Sequence, residues 1–296
     1  MNYLVTGATG FIGYDLVKYL AKDKNNFVFA TDRTVEFNFG LQNVKYQYCE
    51  LKDTILVSQL PKVDCVVHLA AFNGTKFFYT DSYAVIKDNV IGTINLIDRY
   101  RNSKPQFVYA GTPESTAGAT ELGQTLPTNE DSPLVVMDPT NPRWSYAGSK
   151  ALGEQAVIHS GLDWKIIRYN NVYGPRQKDH FIPEFVARVK KGIVELHGHS
   201  NTRTFLHIKD ACEGTIAVLN SGKCNNQIIN IGGNRETTIK EVAEIILRLM
   251  KVDKKIDLND APMGSATRRW PAIDKIKILT GWEPKINLEE GLKDCI

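Results

Sequence analysis

Over roughly the first 170 residues, short β-branched and aromatic runs alternate with longer amphipathic stretches. The runs "YLVT", "FVFAT", "VKYQY", "CVVHLA", "FVYAG" and "WKIIRY" are apolar at almost every position and read as strands. A strand apolar on both faces is buried on both, so these strands, with helical segments between them, predict a parallel sheet layered by helices. A long helix is expected from Asp81 to Arg101. Its core "YAVIKDNVIGTINLIDRY" has apolar positions at helical spacing on more than one face, which suits burial on more than one side, within one subunit or against a partner. Past Tyr169 the pattern loosens into shorter pieces, with helices expected at Pro183–Lys191 and Lys209–Leu219 and a strand at "QIINIGG". Thr238 and Glu241 have capping-box spacing ahead of the helix "VAEIILRLM". The chain is therefore expected to form a doubly wound α/β body with a second, smaller lobe, and no internal repeat or low-complexity tract competes with that reading.

Composition narrows the partners. The 296 residues carry 36 basic and 33 acidic side chains, a net charge of +3, with no lysine/arginine tract, so neither nucleic acid nor a membrane surface is expected as a partner. Five cysteines, Cys49, Cys65, Cys212, Cys224 and Cys295, are scattered and never spaced as CxxC, which predicts neither a disulfide framework nor a metal site. Met1 runs directly into "NYLVTGATG" without a basic region or long apolar run, and the expected location is the cytoplasm.

Candidate chemistry begins in "TGATGFIG", where Gly7, Gly10 and Gly13 follow the first strand and open a helix in GxxGxxG spacing. Glycines there let a backbone approach a pyrophosphate closely, and the free N–H groups of a helix N-terminus face its charge. Gly7, Thr9, Gly10, Phe11, Ile12 and Gly13 form the expected phosphate turn. Asp32 ends the second strand about 20 residues further on, where a carboxylate accepts hydrogen bonds from ribose hydroxyls and favours NAD. Arg33 is suited to a 2′-phosphate and leaves NADP open. Glu50 and Leu51, after the third strand, are candidates for the adenine end. In "SYAGSKALGEQAV", Tyr146 and Lys150 stand at i and i+4, so they leave one helix face a turn apart. A tyrosine of ordinary pKa about 10 gives up its proton more readily beside an ammonium, and the pair suits proton removal from a sugar hydroxyl.

Together, "TGATGFIG", "DCVVHLAA", "DNVIGT", "SYAGSK", "RYNNVYGPRQ", "RTFLHIKDA" and "GWEPKINLEEGLKD" resemble, in order and spacing, the extended short-chain dehydrogenase/reductases that epimerise or dehydrate nucleotide sugars with NAD. The resemblance runs almost end to end. It implies a Rossmann-type dinucleotide-binding domain of residues 1–170 plus about 205–232, and a nucleotide-sugar-binding α/β lobe of residues 171–204 and 233–296. It also implies a hydride taken from the sugar at C4, a 4-keto intermediate, and a third catalytic hydroxyl at Thr112. Leu69, Ala70 and Ala71 beside His68 would line the cofactor cleft, Asn89 would fix the helix next to it, and Tyr169 would stand near the nicotinamide. Asn171 and Phe181 would meet the sugar diphosphate. Arg203 and one of Arg268 and Arg269 would grip its phosphates. His207 reads as structural. The resemblance further implies a homodimer formed through two helices of each subunit.

The reaction turns on "GTPESTAG" at residues 111–118. Many dehydratase relatives have Thr-Asp-Glu here, but Pro113 has no acid to give. Glu114 remains, in a Thr-x-Glu arrangement also found in decarboxylating relatives. The segment is one residue longer than the family's usual form, which leaves the direction of Glu114 open. Thr112, Tyr146 and Lys150 suffice for 4-epimerisation, which ranks first, ahead of decarboxylation or 4,6-dehydration. A reading of another class, a dinucleotide-sensing protein without catalysis, is disfavoured by Tyr146 and Lys150.

Overall fold

The computed structural model describes residues 1–261 and 266–296; residues 262–265, within the expected second lobe, lie outside the described residues. Six strands, β1 (Asn2–Thr6), β2 (Phe27–Asp32), β3 (Val44–Tyr48), β4 (Cys65–His68), β5 (Gln106–Gly111) and β6 (Trp164–Tyr169), join a further strand, Gln227–Ile231, in one sheet. Their spatial order is Gln227–Ile231, β6, β5, β4, β1, β2, β3, and every pairing is parallel. All six strands expected from the apolar runs are present. The order reverses between β1 and β4, and a crevice opens there at the carboxyl ends of the strands.

Helices α1 (Phe11–Leu20), α2 (Thr54–Ser58), α3 (Thr75–Thr80), α4 (Ser82–Tyr100), α5 (Glu114–Glu121) and α6 (Trp144–Ile158) follow or lie between these strands. Alternate strand positions serve opposite layers, as the two-residue repeat of a strand requires. Val5, Val28 and Ile167 pack with Leu16 and Val17 of α1 and with Ala211 and Val218 of the helix Ile208–Asn220. Leu4, Phe107 and Ile166 pack on the other side with Leu96 and Tyr100 of α4 and Val157 of α6. A separate apolar cluster joins Ile182, Phe185 and Val189 of the helix Phe181–Lys190 to Val242 and Ile246 of the helix Ile239–Leu249. Beside it, the short strand Thr202–Thr204 lies between Glu236–Thr238 and Arg268–Arg269, with Arg203 opposite Arg269.

Thr238 caps the helix Ile239–Leu249 through the Glu241 N–H at 3.0 Å, but the Glu241 carboxylate turns to Arg235 at 2.5 Å, so only one half of the capping box forms. The segment after Pro113, which carries no apolar period of its own, is helix α5. Serine, threonine and glycine form helices weakly. Packing decides instead: a Cβ on Gly118 would fall 2.8 Å from Val135, and the Ser115 hydroxyl donates to the Ala147 carbonyl of α6 at 3.3 Å.

Candidate active site

The crevice between β1 and β4 is a cavity of ≈ 340 Å³ lined by the phosphate turn, the end of β2 and the loop after β4. Gly7 has φ +68°, and a Cβ there would stand 2.7 Å from the Ala70 nitrogen; a Cβ on Gly13 would overlap the Gly7 carbonyl oxygen. Glycine is thus required at both, and the turn lets a ligand meet bare backbone. Gly10 is the N-cap of α1, whose first residues, Phe11 and Ile12, pack their side chains on the core while the N–H groups of this turn remain outside the helical ladder. Asp32 accepts hydrogen bonds from the Thr9 N–H at 2.9 Å, the Thr9 hydroxyl at 2.8 Å and the Arg33 N–H at 2.7 Å, so its carboxylate is held in place at the cavity wall. Arg33 lies over the Phe72 ring at 5.1 Å and 3.9 Å from Asp88, which Lys52 also meets at 2.7 Å. Glu50, Leu51, Leu69, Ala70 and Ala71 line the same cavity.

Asn89 links this cavity to the next part of the site. Its side-chain oxygen accepts from the Phe72 N–H at 2.6 Å, and its amide donates to the Ser149 hydroxyl at 3.0 Å, which in turn donates to the Tyr146 carbonyl at 2.8 Å. His68 is enclosed between the Thr6 and Thr93 hydroxyls at 2.8 and 3.0 Å. The Thr93 hydroxyl already donates to the Asn89 carbonyl, so it accepts from Nε2–H and leaves Nδ1 to accept from Thr6. Burial, with Lys150 nearby, pulls His68 down to about 3, and the ring is neutral.

Tyr146 and Lys150 both face inward from α6 and are buried. Burial and the Glu114 carboxylate push the Tyr146 phenol well above its ordinary range, and the Thr112 hydroxyl bonded to it pulls it back. Phe78 of α3 stacks on Tyr146, with ring centres 5.1 Å apart and planes at 15°. The Lys150 ammonium lies 4.0 Å from the centre of the Tyr109 ring; burial draws its pKa down to about 7, against the opposing pull of Glu154. Thr112 is buried at the end of β5 and accepts from the Glu114 N–H at 3.3 Å.

Glu114 opens α5 and points inward. Arg269 holds both of its carboxylate oxygens in a fork, one of them at 2.8 Å, and Arg143 stands 3.9 Å away. Arg203 is close enough to feel all three; burial and Arg269 together pull it below the usual arginine range. Arg203 also donates to the Thr202 and Ala266 carbonyls at 2.7 and 2.8 Å. Arg268, opposite in register to Thr202, faces away and is forked on Glu236 at 2.8 and 2.6 Å, so Arg269 is the member of the pair that reaches the site. Asn171, at φ +38°, ties the segment after β6 to Thr204 by a 3.0 Å hydrogen bond. Two further expected contributors have their side chains engaged within the protein. The Tyr169 hydroxyl is turned into the core against Thr215 at 2.8 Å, and Phe181 stacks on Phe185 at the start of its helix. His207 caps the helix Ile208–Asn220 by accepting from the Lys209 N–H at 3.4 Å, as a structural histidine does.

Arg143, Phe78 and the buried Glu154–Arg168 pair escaped the sequence reading. Arg143 lies three residues before Tyr146, a short distance that carried the only signal for it.

Residues 3–232 match the sequence pattern of the NAD dependent epimerase/dehydratase family. The chain belongs to that family. Among curated relatives, it is 31% identical to the UDP-N-acetyl-alpha-D-glucosaminuronate decarboxylase of Bacillus cytotoxicus, over 99% of this chain and 96% of that one. It is 30% identical to the UDP-glucuronate 4-epimerase of Thermodesulfobacterium geofontis, over 99% and 94%. Among solved structures, the UDP-glucose 4-epimerase of Thermotoga maritima, crystallised with UDP-glucose, superposes with a TM-score of 0.87 at 26% identity, covering 99% of this chain and 96% of that one. The dTDP-glucose 4,6-dehydratase of Bacillus anthracis, in complex with NAD, superposes with a TM-score of 0.85 at 29% identity, covering 99% and 94%. The cofactor of this family member is NAD, and the residues present fit it: a Cβ-free cradle at Gly7 and Gly13, a helix N-terminus, and a fixed carboxylate at Asp32.

Proposed function

We propose that the chain binds a nucleotide-diphosphate sugar, oxidises it at C4 and decarboxylates it at C6, the substrate being a uronate. The observation that carries this reading is Glu114, turned inward, forked by Arg269, near Arg143 and felt by Tyr146. A site that only passes a hydride back and forth has no use for that extra acid in a cationic setting. In this reading Tyr146 removes the C4 hydroxyl proton with Thr112 bridging the two oxygens, and the Lys150 ammonium supports the phenolate. NAD, when bound, accepts the C4 hydride and later returns it. The resulting C4 ketone is β to the C6 carboxylate, so the C5–C6 bond breaks with its electron pair passing into the ketone, and carbon dioxide leaves. A solvent water positioned by Glu114 would supply the proton that replaces it at C5, leaving a hydroxide that solvent neutralises, and the arginines hold the charged groups in place. The decarboxylase relative supports this substrate class.

A second reading, 4-epimerisation, is favoured by the sufficiency of Thr112, Tyr146 and Lys150 and by the 4-epimerase relative. Incubating the protein and NAD with UDP-, GDP-, CDP- and dTDP-sugars, uronates included, and following products by mass and NMR separates the two. Loss of carbon dioxide is the expected result. An unchanged mass with C4 inverted would replace the first reading by the second. Glu114→Gln is expected to lower turnover of the uronate by about 100-fold, in the range of a lost acid/base group, while a mere wall of the pocket tolerates the change.

A further inference from the structure

Behind the Tyr146–Lys150 pair, the same face of α6 continues to Glu154, so that residues at i, i+4 and i+8 are all buried, Glu154 fully. Arg168 of β6 holds both Glu154 oxygens, through Nε at 3.0 Å and Nη2 at 2.8 Å, and its remaining Nη1 donates to the Glu130 carbonyl at 3.0 Å. The pair lies directly behind the catalytic strand end. Gly111, next to Thr112 and opposite Arg168 in register, has no side chain there; a Cβ would fall 2.5 Å from the Glu154 carboxylate and 2.9 Å from Arg168. A buried ion pair is weak evidence for stability, since its desolvation rivals its attraction. This one is one helical turn from the lysine on which proton removal depends.

We propose that the Glu154–Arg168 pair is a positioning device for the reaction: Glu154 keeps the Lys150 ammonium charged inside the protein, and Arg168 keeps Glu154 against the lysine's side of α6. Among the described residues, the other groups facing Lys150 supply no negative charge. From β4, His68 is neutral; from β5, Tyr109 presents a ring face and a phenol that burial keeps protonated; from its own helix, Tyr146 is protonated until it acts. Glu114 acts on Tyr146 from α5 and is not among the groups that act on Lys150. Glu154 is thus the carboxylate available to oppose the burial of the lysine. Arg168 extends the arrangement. The Glu130 side chain accepts from the Asn230 N–H at 2.9 Å, and Asn230 donates to the Thr128 and Ala272 carbonyls at 3.2 Å each, beside the strand that carries Arg269.

The proposal rests on Tyr146 and Lys150 acting as the hydride-transfer pair, but its test does not require turnover. Protein labelled with ¹⁵N at lysine Nζ is titrated by NMR, with the Lys150 signal assigned by its loss in Lys150→Met. Two variants are compared with the native chain: Glu154→Gln, and the double change Glu154→Leu with Arg168→Met, whose apolar pair replaces the ion pair without leaving a lone buried charge. Lys150 is expected to lose its proton at least about one pH unit lower in both, and the high-pH limb of kcat/KM with its sugar substrate to move down with it at little change in KM. An unmoved Lys150 titration in the folded double variant overturns the proposal. A moved titration with no activity in any form would instead count against the reading of the reaction.

Discussion

His68 braces the wall of the cleft as a neutral, fully enclosed ring. Its ring joins Thr6 of β1 to Thr93 of α4, and both hydroxyls are saturated by the neutral form. Its pKa falls from an ordinary 6.5 to about 3 on folding, so between those values the unfolded chain binds a proton that the folded chain refuses. Stability is therefore unaffected above pH 6.5 and is lost as pH falls toward 3, with a limiting slope of about 1.4 kcal/mol per pH unit. Urea unfolding at pH 7 and pH 5 should show that loss in the native chain and a shallower one in His68→Asn. Equal losses in both would mean that the ring takes up its proton without unfolding. At this scale the sequence disclosed identities but not pairings. Thr112, Tyr146, Lys150 and Glu114 announced themselves by motif, whereas Arg168 looked like one charge in a strand and Glu154 like one on a helix. Only the parallel pairing of β5 with β6 under α6 brings them together.

Among the elements, α4 and α6 do most to shape the site. Asn89 of α4 clamps the loop after β4 through Phe72 and reaches across to Ser149 of α6, so one amide sets the cofactor cavity against the tyrosine turn. Asn89→Ala leaves the Phe72 N–H and the Ser149 hydroxyl without this partner, a loss of about 1–3 kcal/mol. NAD affinity, followed by tryptophan fluorescence, should fall by about tenfold or more. Unchanged affinity with a lowered melting temperature would confine Asn89 to holding the helices together. The central strands and α4 were legible because burial on two faces, or on a face and a seam, leaves an apolar pattern at strand or helix period. The helix α5 was not, because its small polar residues follow no such period and become helical only through Val135 and Ala147, which the chain supplies from later segments. The orientation of the Tyr169 hydroxyl was illegible for a related reason: a strand end offers two faces, and the hydroxyl took the one toward Thr215.

At the scale of the whole molecule, the outward sides of the same two helices are the unusual surface. Tyr83, Ile86, Ile91 and Ile94 of α4 are 72%, 42%, 37% and 43% exposed, and Leu152 of α6 is 52% exposed. At 100° per residue the four α4 positions fall on one side of the helix, opposite the buried Val85, Asn89 and Leu96. Exposed apolar side chains gathered on one side of a helix mark an interaction site, and a two-fold arrangement of four helices would cover them with an identical face. We therefore propose a homodimer through α4 and α6. Light scattering after size exclusion should give twice the chain mass of 33.2 kDa. Ile94→Glu would bury a charge in place of a side chain contributing about 1.5–3 kcal/mol, and should weaken the dimer by at least about tenfold. Because α4 and α6 carry Asn89, Tyr146 and Lys150 on their inward sides, pairing of their outward sides would also stiffen the frame of the site. The variant should accordingly lose turnover more than NAD affinity, and a native chain that elutes at 33.2 kDa at high concentration would remove the dimer from the account altogether.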